Sequence, residues 1–460
     1  MKRKKGKILY LARLLTALPV FFLILSVFLL RREEFSLLLK FQYAPSAMRS
    51  MALAATLSVA ALVVLTVAAF FAGRFYCSLL CPLGTWQELV AFVPTKCTSG
   101  KDLRKTRLLI AGIVFGLLIS SCNLGFLLLD PYSLFGRTVR SFSLSALLIL
   151  LVITVLALWK KRFFCANICP VGTILGLFAE KGYVLLQFNE QCVKCGKCVK
   201  NCPAGCMDPA KGEIDNARCV RCLKCLSVCP AGGLSFSRKK LPPPPDENRR
   251  KFLAEGGAFV GGMILGRLGA FAAEKYGKKL AFPASGILPP GAGDLSTFFR
   301  KCTACQLCTA SCPEKIIRPA KGGTGPVSLV LGDGACDFDC RKCIEVCPAG
   351  ALKNLTLAEK RNCKIAQAVH LPKNCIAFQD EESCGLCAAA CPVNAIVLRK
   401  NGTPRPVKKD LCIGCGSCLK ACPANPPAIR MEEVHKQIVM TKITLNKVTA
   451  APPNNGGEKK

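Results

Sequence analysis

The sequence predicts a helical membrane domain joined to two compact α+β modules cross-linked through cysteine. Three observations predict it. Four long apolar runs lie before residue 160 of the 460-residue chain. Of the 32 cysteines, 26 lie after residue 190. Most of these recur at fixed short spacings that end in Cys-Pro. The asymmetry excludes one uniform globular domain, and the chain is far too long for a small disulfide-stapled secreted scaffold. Lys and Arg number 63 against 28 Asp and Glu, a formal net charge of +35.

The apolar runs are residues 8–30, 51–72, 108–129 and 142–159. A membrane span needs roughly 20 such residues, so each run is read as a spanning helix. The first is too long for a cleaved signal peptide, and no small-residue cleavage site follows it. Loop charge sets the orientation. Residues 1–7 carry five basic residues and no acid, residues 73–107 carry six against two, and residues 160–251 carry seventeen against seven. Loops 31–50 and 130–141 net only +2 and +1. The N-terminus and the basic segments are therefore expected in the cytoplasm.

The membrane domain, residues 1–189, contains an internal repeat. The second run leads into Arg74-Phe75-Tyr76-Cys77-x3-Cys81-Pro82-x-Gly84. The fourth leads into Arg162-Phe163-Phe164-Cys165-x3-Cys169-Pro170-x-Gly172, 88 residues later. A C-x3-C pair on one helical turn places two thiols on one face. Cys77, Cys81, Cys165 and Cys169 either supply a shared redox or metal centre or pack as small hydrophobes.

Residues 190–240 hold two runs of C-x2-C-x2-C-x3-C-P, Cys192-Cys195-Cys198-Cys202 and Cys219-Cys222-Cys225-Cys229. This is the bacterial ferredoxin spacing for [4Fe–4S] clusters, in which the fourth cysteine of each run serves the other cluster. The expected ligand sets are Cys192, Cys195, Cys198 with Cys229, and Cys219, Cys222, Cys225 with Cys202. Zinc prefers two separated C-x2-C pairs, and disulfides are disfavoured in the cytoplasm. The segment reads as a bacterial-ferredoxin-like α+β iron–sulfur module.

Residues 241–294 form the junction. A proline-rich linker precedes Asn248-Arg249-Arg250-Lys251-Phe252-Leu253 and a glycine-rich apolar stretch. R-R-x-F-L is the pattern of a twin-arginine export signal. The other reading is an ordinary fifth span. Either carries the remaining chain to the outside. Ala270-Phe271-Ala272 offers an A-x-A site at which a signal peptidase could cut.

Residues 295–440 form a second iron–sulfur module with four motifs. Cys302, Cys305, Cys308, Cys312 and Cys412, Cys415, Cys418, Cys422 are regular. Cys336, Cys340, Cys343, Cys347 has one extra residue in its first gap, and Cys375, Cys384, Cys387, Cys391 has a longer first gap. Six clusters use 24 cysteines and leave Cys97, Cys122, Cys206 and Cys363 unassigned outside the C-x3-C-P pairs. Residues 441–460 read as a disordered tail. An oxidised cluster with four thiolates carries −2, so six clusters bring the net charge to about +23.

Several classes are excluded. The two histidines, His370 and His435, lie far from the apolar runs, and no C-x-x-C-H occurs; a bis-histidine membrane haem and c-type haem are ruled out. No nicotinamide or flavin fingerprint follows a strand. Basic residues are not interleaved with aromatics, so no nucleic-acid partner is expected.

With these motifs in hand, residues 1–240 resemble the NapH-type membrane subunits of quinol dehydrogenases. Residues 248–440 resemble their NapG-type partners, which are exported four-cluster ferredoxins. MauN and MauM proteins share the layout, and the chain resembles a natural fusion of the two subunits. The resemblance implies a protein of the bacterial inner membrane with its first iron–sulfur module in the cytoplasm and its second in the periplasm. It implies oxidation of quinol from the quinone pool and electron passage through six [4Fe–4S] clusters. The acceptor would be a periplasmic reductase, such as nitrate reductase, or a cytochrome, and the twin-arginine export machinery would be a partner. A seventh centre at the C-x3-C-P motifs stays open. Similar proteins serve nitrous oxide reductase maintenance and copper oxidase assembly, so an accessory role in maturing another metalloenzyme is the alternative. Asn123, in the polar patch 120–123, and Asp130 are candidate quinol-site residues. Arg137 would hold a quinone oxygen or the Asp130 carboxylate. Against this, polar residues in spans often only pack helices, and Asp-Pro often only starts a turn.

Overall fold

The structure, a computed structural model, describes residues 2–30, 42–53, 56–92, 103–120, 122, 124–238, 247–280, 286–319, 326–379, 384–400 and 402–440. The chain divides into two compact units, Met1–Val330 with Arg341–Asn354, and Leu331–Cys340 with Leu355–Lys460. The expected single module of residues 295–440 is thus divided. Its first part belongs to the unit of the apolar helices, because Cys305 and Leu307 join the same apolar cluster as Phe21, Ile24 and Phe28.

In the first unit, α1 (Lys2–Leu30) is about 44 Å long at the α-helical rise. Among the described helices it alone is long and apolar enough to cross a membrane, over Lys4–Leu29. The second apolar run is shared by α2 (Tyr43–Leu53) and α3 (Thr56–Ala72). Then follow α4 (Tyr76–Leu79) and α5 (Pro82–Val90). The third run is not one helix. It is divided into α6 (Arg104–Ile119) and α7 (Leu124–Leu129). The break falls in the polar patch, where the Ser120 hydroxyl donates back to the Gly116 carbonyl at 3.0 Å, a local bond that competes with helix propagation. α8 (Pro131–Ser141), α9 (Leu144–Lys160), α10 (Phe163–Asn167) and α11 (Pro170–Glu180) complete the helical part. Large apolar side chains stand exposed on α1 (Leu11, Leu15, Phe22), α3 (Val63, Val64, Val67) and α9 (Leu148, Leu151, Val155). Exposed apolar surface repeated over several helices marks a surface that contacts something other than water.

The first iron–sulfur module comprises β1 (Val184–Phe188), α12 (Lys197–Asn201), β2 (Met207–Asp208), β3 (Glu213–Ile214), α13 (Lys224–Val228) and β4 (Leu234–Arg238). β1 pairs antiparallel with β4, from Val184↔Arg238 to Phe188↔Leu234, and β2 pairs with β3. Its core is small: Leu186, Ala204, Met207 and Leu234 pack among the cysteines.

α14 (Glu247–Leu280) is one 34-residue helix that contains the twin arginines in its first turn and runs through Ala270-Phe271-Ala272. It packs along α6 through interlocked glycines. A Cβ at Gly112 or Gly116 of α6 would strike the backbone at Phe259 or Met263. A Cβ at Gly262 or Gly266 of α14 would strike that of Leu109 or Ile113. Paired small-xxx-small seams of this kind let helix backbones approach in membranes. Arg104 Nε closes one end of the seam on Glu255 at 2.7 Å, and Ala270 packs with Leu117 and Cys122 at the other. The A-x-A site therefore sits inside a docked helix, whereas a peptidase needs extended chain. The isolated protein is expected to run as one uncleaved chain. Gly262→Leu is expected to cost about 1–3 kcal/mol by forcing the seam apart, read as a lowered melting temperature in detergent.

α15 (Leu295–Lys301), α16 (Leu307–Ser311), the β5–β6 pair (Ile317–Pro319 with Val327–Leu329) and α17 (Lys342–Val346) end the first unit. The two ends of α1 meet different partners. Gly6 lies against the Leu226 carbonyl of α13, and Phe28 lies against Tyr132 and Phe135 of α8 in the cluster that includes Cys305.

The second unit is built on β7 (Cys363–His370) and β8 (Ile429–Val439), antiparallel from Cys363↔Val439 to His370↔Ile429 with a bulge between Lys364 and Ala366. α18 (Leu357–Arg361) precedes them, and α19 (Ile376–Gln379), α20 (Leu386–Ala389) and α21 (Ser417–Lys420) lie between. Buried Lys360 donates to the Asp337 and Phe338 carbonyls, and Arg361 Nε holds Asp339 at 2.7 Å. These bonds pin the enlarged first gap of the Cys336 motif.

Candidate electron-transfer sites

The regular cysteine motifs share a local backbone device. The residues just before and just after the second cysteine are left-handed: Lys194 and Gly196, Arg221 and Leu223, Ala304 and Gln306, Gly414 and Gly416, with φ from 51° to 84°. Five of these are not glycine, and each such residue costs about 1–2 kcal/mol. Alternating right- and left-handed residues turn backbone N–H groups inward and form an anion nest. Leu223, Gln306 and Gly416 also cap the short helices that present the third cysteine of each motif. The irregular motifs do differ: Arg341 and Gly385, just after the second cysteines of their triplets, have φ of −134° and −128°.

The thiols gather round small hollows. Cys192, Cys195, Cys198 and Cys229 line one. Cys202, Cys219, Cys222 and Cys225 line another, joined by Cys206, whose Sγ lies 3.5 Å from that of Cys202. In the second unit Cys375, Cys384, Cys387 and Cys422 line a third. Cys391 falls within electrostatic reach of Cys412 and Cys418. In the first unit Cys347 falls within reach of Cys302, Cys305 and Cys308. The fourth cysteine of one motif thus stands with the first three of another in four of these sets, and Cys391 stands with two, Cys412 and Cys418. Among the described residues no three Cys, His, Asp or Glu side chains converge as the ligands of a single ion do. Thiols around a hollow suit a multi-atom iron–sulfur core, and a zinc ion would need a point of convergence. Burial pushes the Cys222 and Cys305 thiols up to about 12, so only coordination makes them thiolates. Backbone N–H groups of Gly233, Ala395 and Ala428 donate to Cys229, Cys391 and Cys422 at 3.2–3.3 Å, the kind of bond that tunes a cluster's potential.

The two C-x3-C-P motifs come together. Cys81 and Cys169 are the N-caps of α5 and α11, with Pro82 and Pro170 at the first helical position, where the missing N–H costs nothing. Cys77, Cys81, Cys165 and Cys169 are all buried. Arg74 Nη2 donates to the Cys165 carbonyl at 2.6 Å, and Arg162 Nη1 donates to the Cys77 carbonyl at 3.1 Å. Each repeat's arginine clasps the other repeat's first cysteine. Arg162 also pairs with Glu88 at 2.7 Å, and Arg13 of α1 binds the same carboxylate. This arginine clasp went unpredicted; the signal for it was an arginine three residues before the first cysteine in both repeats. The first iron–sulfur module docks here, since Arg74 Nη1 reaches the Ala217 carbonyl at 2.9 Å.

The quinol-site candidates divide. Asn123 lies outside the described residues. Cys122 packs against Leu117 and Ala270. Asp130 and Arg137 are both buried, within charge range of each other. Asp130 caps α8 by accepting from the Ser133 N–H at 2.8 Å. Burial pushes its carboxyl up to about 6. The buried hydroxyl of Tyr132 has no hydrogen-bond partner among the described residues, and it lies within electrostatic reach of Asp130 and Cys305. Of the remaining cysteines, Cys97 lies outside the described residues and Cys363 is a buried residue of β7.

Comparison with known proteins agrees with this picture. A 4Fe-4S dicluster domain model matches residues 301–351 and 382–426. Models described as 4Fe-4S binding domains match residues 54–97 with 142–188, and 189–205 with 216–232. The chain is 30% identical over 158 residues to the ferredoxin-type protein NapH of Escherichia coli, covering 33% of this chain and 55% of that one. It is 27% identical over 139 residues to the methylamine utilization ferredoxin-type protein MauN of Methylobacillus flagellatus, covering 29% and 49%. It is 33% identical over 135 residues to the ferredoxin-type protein NapF of Escherichia coli, covering 28% and 76%. The chain thus spans about half the length of NapH and MauN. No solved structure matches.

Proposed function

The chain belongs to the Nap- and Mau-type family of ferredoxin electron-transfer proteins, and from that premise we propose that it oxidises membrane quinol and delivers the electrons to a periplasmic acceptor. The observation that carries the reading is the buried Tyr132 hydroxyl, unpartnered among the described residues, within electrostatic reach of Asp130 and Cys305, the two groups that also lie within reach of Arg137. An orphaned buried polar group asks for a ligand. Iron–sulfur clusters, when bound by the cysteine motifs, take up electrons one at a time. Tyr132 Oη hydrogen-bonds a quinol oxygen, Asp130 accepts a quinol proton, and Arg137 orients the head group. Quinol loses two protons and two electrons: Asp130 takes one proton, solvent takes the second, and the electrons pass one at a time to the cluster that Cys305 would hold near Tyr132.

Membrane residence is supported by α1 and by the exposed apolar faces of α1, α3 and α9. The opposite placement of the two iron–sulfur regions along α1, one against Gly6 and one against Phe28, supports a chain that bridges two compartments. A terminal nitrate reductase and export by the twin-arginine route belong to the same proposal. Menaquinol analogue added to anaerobic membranes is expected to bleach the visible iron–sulfur absorbance and raise reduced-cluster EPR signals. Clusters that dithionite reduces but the quinol does not would sink the proposal.

A further inference from the structure

We propose that Cys77, Cys81, Cys165 and Cys169 together hold one further iron–sulfur centre, shared by the two repeats, with Arg74 and Arg162 as its built-in counter-ions. The inference rests on the iron–sulfur reading above and deepens it. The matching domain model covers each repeat; the shared centre and the role of the arginines follow from the clasp.

Charge balance argues for it first. Arg74 and Arg162 are buried guanidiniums within reach of these thiols, and the buried Arg13 donates to the Ser78 carbonyl next to Cys77. Glu88 is the carboxylate bound by Arg162 and Arg13. Arg74 binds two carbonyls and approaches Cys77 Sγ at 3.8 Å, with no carboxylate paired to it among the described residues. Three cations against one anion leave two positive charges buried, an arrangement proteins avoid. Four neutral thiols do nothing to relieve it. Four thiolates around an oxidised iron–sulfur core carry about −2, whether the core is binuclear or a cubane, and close the balance. Each thiol loses its proton as its Fe–S bond forms, with iron and sulfide supplied as in the ferredoxin modules.

Polar satisfaction argues for it independently. Gln87 is completely buried with its side chain aimed at the Cys165 thiol, and among the described residues its amide closes no hydrogen bond to any other protein group. A buried amide left this way costs free energy unless something else occupies its donor direction; a cluster sulfide or thiolate is an acceptor of the right kind. Geometry permits the site to form: Cys81 and Cys169 sit at the positive ends of α5 and α11, which favours thiolate. Arg74 fills the space that a side chain at Gly172 would take. The neighbour of this site is Cys222 of the first iron–sulfur module, which lies within electrostatic reach of Arg162, so the centre would stand between that module and the apolar helices.

The test uses the full chain purified anaerobically in detergent. Iron, sulfide and zinc per chain, and the set of EPR signals, are compared for wild type, the double variant Cys81→Ser with Cys169→Ser, and Cys122→Ser. The double variant is expected to lose about two irons for a binuclear core or about four for a cubane, with the ferredoxin-type signals kept; Cys122→Ser is expected to lose none. Equal iron in wild type and double variant overturns the proposal, as does zinc in place of the lost iron. If the double variant loses every cluster, Arg74→Gln decides the matter, since all four thiols remain. It is expected to keep its iron and lower the midpoint potential of a single signal; an unchanged set of potentials overturns the proposal. A wild type without any iron–sulfur signal would fell the ferredoxin reading itself, whereas intact ferredoxin signals with an inert double variant would fell only the shared centre.

Discussion

Replacing Cys347 by alanine is expected to remove the cluster centred on Cys302, Cys305 and Cys308, and with it about four irons. The motif spacing predicts that fourth cysteines are exchanged between paired clusters in this module too, but it does not say which motif pairs with which. The structure sets Cys347 within reach of all three thiols of the earlier run. The loss should be complete. Burial raises the Cys302, Cys305 and Cys308 thiols, so without metal these groups are neutral, and cluster binding supplies folding free energy that no large core replaces. The functional effect should be as large as any single change can produce. Cys305 is packed with Phe28, Tyr132 and Phe135; removing its cluster is expected to stop quinol from reducing the remaining clusters, while dithionite still reduces those of the first module. Iron content and EPR of the variant check the first part, and quinol-driven reduction checks the second. Retention of full iron in Cys347→Ala would show that the motif keeps its own fourth ligand.

What the sequence makes legible follows from the range of the interactions. Cysteine spacing is a local property, so the thiols of the 192–229 segment could be sorted into two sets before any fold was known. The apolar runs are equally local, and the longest, on α1, is the clearest helix. The break between α6 and α7 was written in the polar residues 120–123, but hydropathy averages over such a patch. The seam between α6 and α14 was not legible. Gly112 and Gly116 are visible as a pair, as are Gly262 and Gly266, yet nothing local says that they meet. The clasp of Arg74 on Cys165 and of Arg162 on Cys77 has the same character, since it links positions about ninety residues apart through carbonyls that every residue possesses. The pairing of Cys347 with the Cys302 run is a third case. Long-range partners are chosen by packing, and a spacing rule constrains only what lies within one motif.

Asp130→Asn is expected to stabilise the protein while abolishing quinol oxidation, two effects of opposite sign from one atom pair. The carboxyl is buried beneath α8 and its folded value is raised from 3.8 to about 6 by desolvation. Across that window the folded state holds more protons than the unfolded state, so stability falls as pH rises from about 4 to about 6 and then levels off. At pH 7 the charged, buried carboxylate therefore costs about 3 kcal/mol relative to its neutral form. Asparagine lacks this cost and still caps the helix, because its side-chain oxygen accepts from the Ser133 N–H as the carboxylate does. The melting temperature of Asp130→Asn should exceed that of wild type at pH 7 and converge with it near pH 4. The amide cannot take a proton from quinol, and removal of a general base lowers a rate by about 10²–10⁴. Wild-type activity should itself decline as pH drops below about 6, where Asp130 becomes protonated. A variant as active as wild type would remove Asp130 from the quinol site. One that is inactive but no more stable would mean that the carboxylate is compensated when the protein is fully loaded, with Arg137, already within its charge range, as the group to test next.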